Sequence, residues 1–177
     1  MLGLWLTMAE PPPRTYTNDF AAPKEVVMRP IGVVRSAHRE RHGTPRQACV
    51  VADPTQRPDE VARIEVFEPY REALRDLDGF DRIWVIAHLH LNQGWGATVV
   101  PPRGERVRRG LFATRAPHRP NPLSLSAARI VEVTSDGITL ERLDLLDGTP
   151  VLDIKPYVPA IDAFDPSRAG WVDALEE

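Results

Sequence analysis

A chain of 177 residues, 42% hydrophobic and with a formal net charge of -3, has the length and composition of one folded core. It is neither a disordered polyelectrolyte nor a protein that coats nucleic acid through overall charge, so any basic site must be local. Cys49 is the only cysteine, which excludes an intramolecular disulfide and a cysteine-based zinc site and points to a reducing cytoplasm.

Residues 1–7 are apolar but lack a charged leader and are too short for a signal-peptide core or a membrane span. The proline-rich stretch 9–24, with Pro11, Pro12 and Pro13 in succession, has neither helical nor strand periodicity, so residues 1–24 are expected to form a flexible arm. Residues 25–36, EVVMRPIGVVRS, are rich in β-branched side chains, and Pro30 makes this an edge or bent first strand. The polar segment 38–47, punctuated by Gly43 and Pro45, is a loop.

Residues 48–51 and 62–67 read as short strands. Residues 69–77 start with Pro69, place Leu74 and Leu77 on one side and stop before Gly79, the pattern of a short helix. The run FDRIWVIAHLHL, 80–91, is expected to be a central strand buried on both faces. Glycines, a proline pair and arginines make 92–110 a long surface loop.

Residues 123–133 and 137–145 flank Ser135-Asp136-Gly137, a hairpin signal, and a last strand, 151–157, follows the turn Asp147-Gly148. Many short strands with one or two short helices predict a mainly β, closed or nearly closed barrel, because closure removes exposed strand edges. Its expected extent is 25–165, with 166–177 as a tail.

The segment LFATRAPHRPNPLSLS, 111–126, interrupts apolar runs with prolines, arginines, a histidine and an asparagine. Proline stiffens it before anything binds, and Arg115 and Arg119 offer planar forks for a carboxylate or other anion. An ordinary proline-rich turn with solvated arginines has the same composition. Arg103, Arg106, Arg108 and Arg109 surround a single glutamate just before it, a local basic site suited to phosphates or to a merely solvated loop.

Five ordered motifs then carry a resemblance. Thr44-Pro45-Arg46-Gln47, the FDRIW of 80–84, Phe112-Ala113-Thr114-Arg115 with Arg119-Pro120-Asn121-Pro122, Asp147-Gly148-Thr149-Pro150 and Asp153-Ile154-Lys155-Pro156-Tyr157 resemble the TsaA/TrmO family, over about 31–162. That family includes tRNA N6-threonylcarbamoyladenosine methyltransferases. The resemblance implies a β-barrel that binds S-adenosylmethionine without a dinucleotide fold, commonly as a homodimer. No G-x-G-x-x-G follows a strand here.

By that resemblance, Pro45, Arg46, Gln47, His90, Leu91, Arg115, Leu125, Asp147, Gly148, Thr149 and Pro150 are the expected cofactor contacts. Arg103, Arg106, Arg108, Arg109 and Arg119 are the expected tRNA contacts, with Trp95 or Tyr157 able to stack a splayed base. The catalytic candidates are Asp153, Lys155 and Tyr157, since an acceptor N6 must lose a proton. A same-face ion pair of Asp153 with Lys155 is the alternative reading, residues i and i+2 sharing one side of a strand.

Three rival functions follow from the same residues. His88 and His90, two apart in a strand, would suit a cupin-like metal site, but no glutamate follows at a ligand spacing, so no metal is expected. The same fold could methylate a small molecule or another RNA, or hold the cofactor and RNA without turnover.

Overall fold

Eight strands form among the described residues: β1 (Gly32–Arg35), β2 (Val61–Val66), β3 (Arg82–His88), β4 (Thr98–Val99), β5 (Arg109–Gly110), β6 (Leu123–Thr134), β7 (Gly137–Glu141) and β8 (Pro150–Pro156). The computed structural model describes residues 23–40, 61–102 and 104–175. Six strands close a barrel in the order β1-β2-β7-β6-β3-β8 and back to β1, while β4 and β5 pair outside it. Every neighbouring pair in the barrel is antiparallel, so no edge is left open.

Alternation sets which residues face inward. Ile83, Val85 and Ala87 of β3 are fully buried, and Val34, Ile64 and Ile138 are fully buried and lie opposite one another across β1, β2 and β7. Leu143 and Leu145, from the connection between β7 and β8, join the same core. Two glycines let the backbones approach: a Cβ on Gly32 would lie 2.5 Å from Glu65 O, and one on Gly137 would lie 2.3 Å from Ile64 O. Gly137 is therefore a close-approach residue on β7, whereas Gly148, at φ 78°, is a turn glycine in the left-handed region.

The barrel and the hairpin expected from the sequence are present, and β6 and β7 are joined by the two-residue loop Ser135-Asp136. Several elements differ. The first strand is only four residues long, its proline-containing lead-in remaining extended and exposed. The expected helix at 69–77 is two 3-10 segments, Glu68–Leu74 and Leu77–Gly79, separated where Asp76 takes φ 67°. Leu74 is buried and Leu77 packs against the same core, one from each segment.

The one α-helix among the described residues is Pro159–Asp162. β3 is buried on its inner face only, because Trp84 and Ile86 on the outer face stay partly exposed. The loop 92–110 contains the β4–β5 ladder. The strand expected at 48–51 lies outside the described residues. Among those residues, no helix is long and apolar enough to cross a membrane.

The hairpin loop carries a pH-sensitive contact. Asp136 Oδ1 accepts from the Thr134 hydroxyl at 2.8 Å and from the Arg63 guanidinium, which also donates to Thr134 Oγ1 at 2.8 Å. The Thr134 hydrogen bond, with the nearby charges of Arg63 and Arg71, outweighs a small burial effect and lowers the Asp136 pKa below its ordinary value. A depressed carboxylate stabilises the fold above the ordinary carboxylate range and loses that contribution as pH falls through the lowered value. D136N should therefore lower the denaturation midpoint near neutral pH, the difference from the unaltered protein closing in strong acid; an equal gap at every pH would refute this.

Candidate functional site

Antiparallel closure brings the connections that hold three of the five motifs to one end of the barrel, while the motifs at 80–84 and 153–157 lie on paired stretches of β3 and β8 toward the other end. The end of β1, the start of β2, the end of β3, the start of β6, the end of β7 and the start of β8 all lie there. The segments 36–60, 89–122 and 142–149 therefore leave and return at that end. Pro45, Arg46 and Gln47 belong to the first of them and lie outside the described residues, as does Arg103.

The turn at Asp147 is locked onto the end of β1. Asp147 N donates to His38 O at 2.7 Å, Gly148 N to Val34 O at 2.8 Å, and Asp147 Oδ1 accepts from Ser36 N at 3.2 Å. Thr149 is buried, and Pro150 opens β8 opposite Val33. The same connection is tied to β6 where the buried Ser126 hydroxyl donates to Asp144 Oδ1 at 2.6 Å. The turn residues form a rigid corner, with the Asp147 carboxylate already engaged by the backbone.

The outer face of β6, β3 and β8 collects a second group. Leu125 lies opposite Ile86, which lies opposite Asp153; Trp84 lies between Ala127 and Lys155 in the next row. Leu125 is 60% exposed. A bulge at Leu152 makes this possible: Val151 pairs with Ala87 and Asp153 with Ile86, so one extra residue on β8 turns Asp153 outward. Tyr157 then packs its ring against Trp84, with centroids 5.5 Å apart at 57°.

Lys155 Nζ and Asp153 Oδ2 are 3.0 Å apart, and Asp153 Oδ1 also accepts from Ile154 N at 2.9 Å. The same-face ion pair foreseen as the alternative reading thus forms. With the two side chains 63% and 46% exposed, it contributes about 0–1 kcal/mol to stability, too little to explain it as a structural fastening. Trp84 and Ile86 are site-face residues that the sequence reading passed over. They carried no local signal, being as apolar as the inner residues Ile83, Val85 and Ala87.

The proline-rich loop is held from inside by Arg119. Its Nη1 donates to Thr114 O at 3.0 Å and to Ala116 O at 3.4 Å, the carbonyls on either side of Arg115, and its guanidinium lies 5.5 Å from the Phe112 ring centroid. Thr114 Oγ1 donates to Leu111 O at 2.8 Å, closing the preceding 3-10 turn. Arg119, expected to reach for RNA, is thus occupied within the loop. Arg115 is exposed, and its guanidinium makes no hydrogen bond or ion pair among the described residues.

The basic loop divides in the same way. Arg106 and Arg108 are exposed, with Arg108 Nη1 donating to Thr98 Oγ1 at 3.2 Å, while Arg109 sits in β5 against the Trp171 ring. Trp95 is 57% exposed. β3 ends at His88, so His90 is not on the same strand face, as the metal reading required; it is exposed in the following turn, its N–H donating to His88 O at 2.8 Å, with exposed Leu91 beside it. No group of three His, Cys, Asp or Glu among the described residues could hold a metal ion.

The sequence profile described as the tRNA-methyltransferase O N-terminal domain matches residues 33–163, the whole barrel. A probable S-adenosyl-L-methionine-binding protein of Pyrococcus abyssi is 39% identical over 151 residues, 85% of this chain and 78% of its own length. The tRNA (adenine(37)-N6)-methyltransferase of Escherichia coli is 37% identical over 153 residues, 81% of this chain and 63% of that protein. The crystal structure of TrmO from Pseudomonas aeruginosa aligns with a TM-score of 0.66 at 35% identity, covering 83% of this chain and 62% of the other. This chain therefore spans less than two thirds of the last two relatives. With the barrel, its motif-bearing end and these likenesses together, the chain belongs to the TrmO/TsaA-like family of tRNA adenine-N6 methyltransferase homologues.

Proposed function

We propose that this protein is an S-adenosylmethionine-dependent methyltransferase that acts on tRNA, methylating N6 of threonylcarbamoyladenosine in the anticodon loop, as a cytoplasmic homodimer. The observation that carries the reading is the meeting, at one barrel end and within the profile-matched span, of the connections that leave β1, β3 and β7, which hold three of the family's five motifs. The S-adenosyl-L-methionine-binding relative of Pyrococcus and the tRNA (adenine(37)-N6)-methyltransferase of E. coli support the choice of cofactor and of a tRNA adenine as acceptor.

The exposed residues fit such a cofactor. Its amino-acid end needs a cation for the carboxylate, which Arg115 offers, and its apolar parts need walls such as Leu91 and Leu125. When bound, S-adenosylmethionine supplies a methyl group on an electrophilic sulfonium. The chain's own task is alignment, and holding reactants in a reactive geometry supplies roughly 7–11 kcal/mol in well-oriented systems.

In this reading Trp84 and Tyr157 provide the aromatic surface for the acceptor base, and Asp153 accepts the proton that leaves N6. Lys155 orients Asp153 through their ion pair. Arg106 and Arg108 meet phosphates beside the site. Leu123 and Leu125, 37% and 60% exposed on the outer barrel face, suit cover by a second copy of the chain.

The test incubates the protein with methyl-labelled S-adenosylmethionine and tRNA with or without threonylcarbamoyladenosine, followed by nucleoside analysis. Label is expected in the methylated nucleoside of the modified tRNA alone. Protein that binds the cofactor yet labels neither tRNA would sink the assignment. It would leave a small-molecule acceptor, another RNA, or a non-catalytic binding role.

A further inference from the structure

Residues 166–177 read as a tail in the sequence, yet Gly170–Leu175 forms a 3-10 segment seated against both loops that flank the candidate site. The Trp171 indole N–H donates to Ala113 O at 2.8 Å, inside the motif Phe112-Ala113-Thr114-Arg115. The same ring receives the Arg109 guanidinium, 5.4 Å from its centroid. A third contact lies alongside: Gly104, at φ 72°, leaves so little room that a Cβ there would fall 2.4 Å from Leu175 Cδ2.

We propose that Trp171 is a positioning residue, joining the arginine loop and the Arg115 loop into one substrate-facing surface. The role in RNA binding rests on the reading under Proposed function; the brace itself does not. Arg119 fixes the carbonyls at Thr114 and Ala116, Trp171 fixes the one at Ala113, and the Trp171 ring holds Arg109. The placement of Arg106 and Arg108, which flank Val107 just before Arg109, is then set relative to Arg115 by a single indole. An indole suits both tasks, because its N–H donates in the ring plane while its face attracts a guanidinium.

The test compares the full-length protein with W171A and W171F by amide hydrogen exchange, and by binding to an anticodon stem-loop RNA over a range of salt concentrations. W171A should speed exchange of residues 104–116 about tenfold, the scale of losing one hydrogen bond and one cation–π contact, with the barrel strands unchanged. RNA affinity should fall about five- to tenfold and its salt dependence flatten as arginines lose registry with phosphates. W171F keeps a ring for Arg109 but loses the N–H, so it should recover salt dependence better than it recovers protection at Ala113 and Thr114.

Unchanged exchange in 104–116 would overturn the brace, and raised exchange with unaltered RNA affinity would overturn its role in positioning. If W171A unfolds, W171F gives the exchange readout by itself, since it removes the N–H donated to Ala113 O while keeping a ring. Failure of the unaltered protein to bind RNA would count against the proposed substrate, leaving the exchange result to judge the brace.

Discussion

Replacing Arg115 by alanine is expected to weaken S-adenosylmethionine binding about ten- to a hundredfold, the effect of losing a charged hydrogen-bonding partner worth roughly 1.5–3 kcal/mol. The structure concentrates this expectation on one residue. Arg119 spends its guanidinium on the carbonyls either side of Arg115, so the loop is held while Arg115 itself stays exposed and uncommitted among the described residues. A side chain on a stiffened loop loses little further backbone freedom when it grips a ligand.

Isothermal titration with the cofactor checks this. R115K should recover only part of the loss, because an ammonium keeps the charge but cannot form the planar fork. An affinity unchanged in R115A would remove Arg115 from the cofactor site. It would transfer the carboxylate to the segment 41–60, where Arg46 lies.

Ile64→Ala should destabilise the barrel by about 2–5 kcal/mol, read as a lower urea midpoint with an unchanged slope. Ile64 is fully buried, and its neighbours across the sheet, Val34 and Ile138, are fully buried too. Relaxation into the cavity is restricted on both sides. Gly32 and Gly137 already bring backbone so close to Glu65 and Ile64 that β2 has little room to move inward. An effect below about 1 kcal/mol would mean that the barrel collapses around the gap, against the close packing inferred for it. Cofactor affinity measured under native conditions should change little, since Ile64 faces the core rather than the motif-bearing end.

The hairpin and the strands at 62–67, 123–133 and 151–157 were legible because each depends on neighbours in sequence, such as β-branched alternation and the turn residues Ser135-Asp136, whereas the strands expected at 25–36, 80–91 and 137–145 are shorter because pairing partners decide where a ladder stops. The segment 69–77 differs from the expected single helix because it breaks into two 3-10 segments where Asp76 takes φ 67°, and nothing in the residue types around it marks that left-handed turn. β3 was misread as buried on both faces because Trp84 and Ile86 are as apolar as the inner residues. Nothing local distinguishes a strand covered on its outer face from one left open to a partner or ligand.

The candidate site shows the same division. Residue types in 111–126 and 147–157 pointed to an anion grip, a turn and a polar strand face, and the five ordered motifs pointed to the family. They did not reveal that Arg119 serves Arg115 rather than standing free, nor that the Asp147 carboxylate caps Ser36. Those are contacts between a side chain and a backbone placed by the fold.

The sequence by itself determined the fold class, the family and the chemical character of each motif, because alternation, turn chemistry and motif order are properties of consecutive residues. Only the tertiary structure decided which motifs share a surface. Barrel closure brings the ends of β1, β3 and β7 and the connections 89–122 and 142–149 to one end, the bulge at Leu152 turns Asp153 outward beside Lys155, and Trp171 reaches Ala113 across 58 residues. Each of these depends on strand register and loop packing, which are set by the whole core at once and leave no mark in a local stretch of chain.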